Sequence, residues 1–171
     1  MNTYNTNDGH FHRCKWLIDS ATNSKGSILD VGTNDGFMFR DKLDELDVTF
    51  YDIEFNFPDS YRNQIKFVKG NAESLPFKDK SFNAIIAGDI LEHVNYPVKA
   101  LKEFHRVGVQ TFITVPNEYN WTDEKRPFEN TGHVRFYDEE LVREHLKLAN
   151  IFEYEIHMIE GGGWSFFCVQ F

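Results

Sequence analysis

The chain has 171 residues, the length of one domain at about 150 residues per domain, and is read as a single unit over 1–171. Aromatic residues make up 16% and phenylalanine alone counts 17, which excludes a disordered chain. The net charge of −9 weighs against a nucleic-acid partner, because broad phosphate contact needs a basic surface. No apolar run approaches the ~20 residues of a membrane helix, so membrane insertion is not expected. The opening MNTYNTNDGHFHR lacks the apolar core of a signal peptide, and two cysteines, Cys14 and Cys168, cannot build a disulfide framework. A cytoplasmic protein is expected, as a monomer or homodimer.

Residues 1–9 are polar and are expected to be mobile. From His10 to Ala21, apolar residues recur at helical spacing. Ser27–Val31 reads as a buried strand, and Gly36–Leu46 as a helix. Strands follow at Val48–Ile53, Ile65–Lys69, Phe82–Ala87 and Val109–Val115. Asn95 is placed to cap a helix over Tyr96–Val107, with Pro97 in its first turn and Gly108 past its end. Asp138 caps a second helix running to about Ala149, with Tyr137 and Val142 at staple positions. Two last strands, Ile151–Ile159 and Trp164–Phe171, flank a glycine turn at Gly161-Gly162-Gly163. The alternation predicts an α/β, Rossmann-like fold. Its seven-stranded sheet is mostly parallel, with helices on both faces and a C-terminal antiparallel hairpin. Such sheets bind ligands beyond the carboxyl ends of their strands.

The first strand runs into Gly32-Thr33-Asn34-Asp35-Gly36. Gly32 allows a close backbone approach, and Asp30 carries a carboxylate into the same turn. A pyrophosphate would be repelled there, whereas a cationic ligand would be attracted. Asp52 lies 20 residues past Gly32, at the end of the second strand, where an acid can accept from a ribose diol.

With these turns in view, the chain resembles the class I S-adenosylmethionine (SAM)-dependent methyltransferases, in the small methyltransferase 11/23-like branch. The matching stretches are ILDVGTNDG, FYDIE, FVKGNAESLPFKDKSFNAIIAGDILEHV, ALKEFHRV, ITVPNEYNW and GHVRFYDEEL. The resemblance implies SAM as cofactor, S-adenosylhomocysteine as product and a small-molecule acceptor methylated on oxygen or nitrogen. It implies that Asp30, Gly32, Thr33, Asn34 and Gly36 surround the methionine part, and that Asp52 holds the ribose with Ile53 against adenine. Asn71 and Ala72 would read the adenine edge. Asp89 would lie near the methionine end, and Arg13 or His12 would reach the SAM carboxylate. Asn34 and Asn71 depart from the usual Gly and Asp. Asn tolerates left-handed geometry, and its amide oxygen still accepts a hydrogen bond.

Asp89, Glu92 and His93 are spaced i, i+3, i+4, so one helical turn would gather them. Pro116–Phe136 is a long loop, a length that suits a lid. It carries Asn117, Tyr119, Asn120, Trp121, Arg126, Phe128, His133 and Arg135. In one reading, Asp89, Glu92, His93 and His133 hold a divalent metal. The D-x-x-E-H here is similar to the E-x-x-E-H of small-RNA 3′-end 2′-O-methyltransferases and ubiquinone-pathway O-methyltransferases. In another, His93 or His133 is a metal-free general base. In a third, the turn is structural only. A SAM-binding module without catalysis is the alternative from a different class.

Overall fold

The computed structural model describes residues 8–61, 63–121 and 132–171. Seven strands form one sheet: β1 Ser27–Val31, β2 Asp47–Asp52, β3 Lys66–Lys69, β4 Phe82–Gly88, β5 Gly108–Pro116, β6 Glu155–Gly161 and β7 Trp164–Gln170. Their order is β3-β2-β1-β4-β5-β7-β6. The first five run parallel, and β7 pairs antiparallel with both β5 and β6. The carboxyl ends of β1 and β4, which are neighbours, therefore lie where the chain crosses from one half of the sheet to the other.

Three α-helices cover the sheet: α1 Gly9–Asn23, α2 Pro97–Val107 and α3 Glu139–Leu148. Strand side chains alternate between two cores. Leu29, Val31, Ile85, Ile113 and Val169 pack with Leu101, Phe104 and Leu146 of α2 and α3. Ile28, Phe50, Ala84, Ile86 and Phe112 pack with Leu17 and Ala21 of α1. Helices thus cover both faces.

Several expectations are corrected. Gly36–Leu46 is not a helix; only a 3₁₀ turn, Arg40–Lys42, forms there. Asp44, Glu45 and Asp47 crowd what would be its C-terminal end, where the helix dipole disfavours acids. Phe39 turns fully into the core, while Asp35 accepts from the Phe37 N–H and pairs with Arg40. Asn95 does not cap α2. Tyr96 occupies that position without a side-chain bond, and Pro97 opens the helix. The strand expected from Ile151 begins only at Glu155, because Ile151 drops into the core under α3 and its N–H bonds back to Leu146. The hairpin turns on Gly162 and Gly163, both at positive φ, 59° and 84°, which suits a tight two-residue loop. Most of the mobile segment expected at 1–9, and Arg126 and Phe128 of the expected lid, lie outside the described residues.

Candidate active site

A crevice of about 460 Å³ opens beyond the carboxyl ends of β1, β2 and β4. Gly32, with φ +74°, forms its floor, and a Cβ there would stand 2.6 Å from Ile90 Cδ1. The turn after β1 and the turn after β4 therefore meet only because residue 32 is glycine. Gly36 serves packing instead: a Cβ would meet the Phe57 ring at 2.1 Å. Asn34 adopts φ 52°, the left-handed geometry expected of it.

Asp52 closes β2 and faces the crevice. Its Oδ2 accepts from the Asn34 N–H at 2.8 Å and its Oδ1 from the Glu54 N–H at 3.3 Å. Both oxygens are thereby fixed in direction and each retains a lone pair. Ile53, beside it, is 62% exposed at the crevice edge. Asn71 and Ala72 line the same end, and Asn71 Oδ1 accepts from the Glu73 N–H at 2.9 Å. The hydroxyl of Tyr51 donates to the Asn71 carbonyl at 3.2 Å, so β2 supplies Asp52 and also tethers the loop after β3. This tether was not foreseen; the tyrosine next to Asp52 was its only trace in the sequence.

Asp30 does not reach the crevice. It is fully buried under the turn, where Thr33 Oγ1 donates to its Oδ2 at 2.6 Å. Oδ1 has no partner among the described residues. Burial pushes its carboxyl up to about 7, opposed by the Thr33 hydrogen bond and helped by the charge of Asp52.

At the other end of the crevice, Arg13 and Asp89 form an ion pair at 3.0 Å. Asp89 has φ 52°, and its Oδ1 accepts from Thr114 Oγ1 at 2.8 Å. Arg13 is buried and lies 5.0 Å over the Phe166 ring. A zwitterionic amino acid could meet both charges here. His12 does not line the crevice, whereas Arg13 does.

Glu92, His93 and His133 come together, with their ligand-capable atoms within 4.8 Å of one another. Asp89 stands apart from them, committed to Arg13. The two imidazoles meet edge to face at 4.7 Å. His93 Nδ1 contacts the Gly132 carbonyl at 3.1 Å, and His133 Nδ1 contacts Glu118 Oε1 at 2.8 Å. Both Glu92 oxygens are buried with no hydrogen-bond partner among the described residues. Burial raises Glu92 well above the usual carboxylate range, with the charge of Asp89 adding to it. Burial also pushes Glu118 up to about 7 and His133 down. Arg135 fastens this corner by donating to the Leu91 and Val94 carbonyls at 2.6 and 2.5 Å. Glu118 and the clamping role of Arg135 were missed, since nothing local links Glu118 to His133, 15 residues on, or Arg135 to the Leu91 and Val94 carbonyls, more than 40 residues upstream.

Residues 29–110 match the family model described as a methyltransferase domain. A demethylmenaquinone methyltransferase of Chlorobaculum tepidum is 35% identical over 85 residues, 47% of this chain and 35% of that protein. The YcgJ protein of Bacillus subtilis superposes with a TM-score of 0.73 at 16% identity, covering 94% of this chain and 97% of that one. The 1,6-didemethyltoxoflavin-N1-methyltransferase of Burkholderia thailandensis, solved with 1,6-didemethyltoxoflavin and S-adenosylhomocysteine bound, gives 0.71 at 16% identity, covering 99% and 80%. The chain spans less than half the length of the curated relatives it matches. Residues 29–110 are thus similar to a methyltransferase domain, and the fold is shared with solved SAM-dependent methyltransferases.

Proposed function

We propose that the protein transfers a methyl group from SAM to an oxygen or nitrogen of a small-molecule acceptor. The observation that carries this is the Asp52 carboxylate, which faces the crevice with both oxygens steered by the Asn34 and Glu54 amides. In this reading Asp52 accepts from the two ribose hydroxyls. Ile53 lies against the adenine, whose edge meets Asn71 and Ala72. Gly32, Thr33 and Asn34 form the turn around the methionine chain, with Gly36 packed behind it on Phe57 and Asp30 bracing it from beneath through Thr33. Arg13 takes the carboxylate of the amino-acid end and Asp89 the ammonium. Bound SAM supplies a methyl group on a positively charged sulfur, so the chain's task is to align the acceptor and accept its proton. His93 lines the crevice with Nδ1 tied to Gly132, leaving Nε2 to act as general base, and His133 supports it. Replacing Asp52 by Ala is expected to weaken SAM affinity at least tenfold by calorimetry, about 1.4 kcal/mol. Unchanged affinity would count against the ribose role.

A second reading is favoured by the partnerless Glu92. We infer for it a divalent cation held by Glu92, His93 and His133, without the expected Asp89. The Nδ1 of each imidazole is held from behind, by Glu118 and by the Gly132 carbonyl, as metal-bound histidines usually are. A cation there would balance the buried carboxylate and make an acceptor hydroxyl more acidic. Among the curated relatives, the demethylmenaquinone methyltransferases lend this quinone-type alternative support. Titration with Mn²⁺ by calorimetry should show one site, abolished by His93→Ala and by His133→Ala. No binding would leave the imidazoles as a metal-free base.

A further inference from the structure

We infer that the acceptor is a planar aromatic compound carrying a hydroxyl group. The inference rests on the methyl-transfer reading and names the substrate class of that site.

Five rings from four separate segments gather beside the Arg13 end of the crevice. His10 comes from α1, Phe37 from the turn after β1, Trp121 from the loop after β5, and Trp164 and Phe166 from β7. His10 and Phe37 lie nearly parallel, 15° apart in plane, with centroids 6.4 Å apart. His10 approaches Trp164 and Phe166 at 6.2 Å each, and Trp121 meets Trp164 at 4.7 Å. Trp121 and Phe166 are buried and form the backing of this wall.

Phe37 is the telling member. Phe39, Phe50 and Phe57 around it are buried, yet Phe37 is 37% exposed and lines the crevice. Covering its exposed part removes apolar surface from water, which favours a flat apolar ligand there. His10 is half-buried beside Phe37, and its Nδ1 lies 3.1 Å from the Arg13 guanidinium. Burial and the neighbouring Arg13 hold its imidazole neutral, so it stacks as a ring and does not repel as a cation.

The polar requirement comes from the opposite side. Glu118 opens the short 3₁₀ turn Glu118–Asn120 that ends at Trp121, and its carboxylate holds His133. One turn therefore joins the ring wall to the imidazole pair. Phe37 and His93 both line the crevice, so in this proposal one acceptor covers the ring and offers its hydroxyl to the imidazole. In the transfer, the acceptor oxygen forms the new bond to the methyl carbon. The sulfur–methyl bond breaks with its electron pair returning to sulfur, and the hydroxyl proton passes to His93. A sugar or aliphatic acceptor would leave the wall without use.

The test uses the full chain saturated with S-adenosylhomocysteine, titrated by calorimetry with 2-naphthol and separately with cyclohexane-1,2-diol. Binding of 2-naphthol is expected, with none of the diol. Phe37→Leu keeps the apolar volume and removes the ring, and it should weaken 2-naphthol at least fivefold, a larger factor than any loss of S-adenosylhomocysteine affinity. His10→Ala should act in the same direction, which covers the case of a Phe37 variant that does not fold. Equal binding of the diol, absence of 2-naphthol binding, or indifference to both substitutions would overturn the inference. Failure of the wild-type chain to bind S-adenosylhomocysteine would instead overturn the cofactor reading.

Discussion

Asp30 shows how much the site depends on single buried carboxylates. Its side chain is sealed beneath the β1 turn, with one oxygen lacking a hydrogen-bond partner among the described residues, and its carboxyl rises from 3.8 to about 7. The folded protein therefore still holds this proton at pH values where the unfolded chain has released it. The stability that Asp30 contributes falls as pH rises between about 4 and 7, and levels off above. Asp30→Asn removes the ionisation and keeps the acceptor for Thr33. Chemical denaturation at pH 5 and pH 8 should show a smaller loss in the variant than in the wild type, by more than about 1 kcal/mol. An equal loss in both would mean that Asp30 ionises in the fold without cost. A partly buried acid with a cationic partner behaves otherwise. Glu103, bonded by Arg106, is held below its usual range, because a guanidinium rewards the charge that burial penalises.

Among the elements, the ones with self-contained signals were legible. For α3, Asp138 accepts from the Leu141 N–H at 2.8 Å, Glu139 and Glu140 occupy the first turn, and Tyr137 and Val142 are both buried at the staple positions. Asp138→Ala should cost about 1 kcal/mol of stability, read as a lower denaturation midpoint with an unchanged slope. A cost near zero would mean that tertiary packing alone holds the helix. The stretch after Gly36 had apolar residues in number but no such agreement between capping, charge and periodicity. Its side chains are instead engaged by the core and by the Asp35–Arg40 pair. The start of α1 follows another rule. A Cβ on Gly9 would stand 2.9 Å from the Gly161 nitrogen, so the helix begins where the β6–β7 hairpin touches it, and only glycine fits. The contact also seats His10 and Arg13 against β7, which is how an N-terminal helix comes to wall a crevice built by the central strands.

At the level of the whole molecule, the amino-acid sequence alone determined the α/β alternation, the antiparallel hairpin and the crevice-lining Gly32, Asn34, Asp52, Asn71 and Asp89. Gly32 and Asp52 are located by local pattern and spacing at strand ends, and Asn34, Asn71 and Asp89 by the resemblance to the methyltransferases. Tertiary structure decided the pairings between distant segments. It gave Asp89 to Arg13 and withdrew it from Glu92 and His93, and it brought Glu118 to His133. It turned Asp30 inward and gathered five rings at one end of the crevice. The physical reason is that partner choice among charged and aromatic side chains depends on which strand ends become neighbours. In the order β3-β2-β1-β4-β5-β7-β6, that neighbourhood is set by the burial of two opposed cores, which no stretch of the chain encodes by itself.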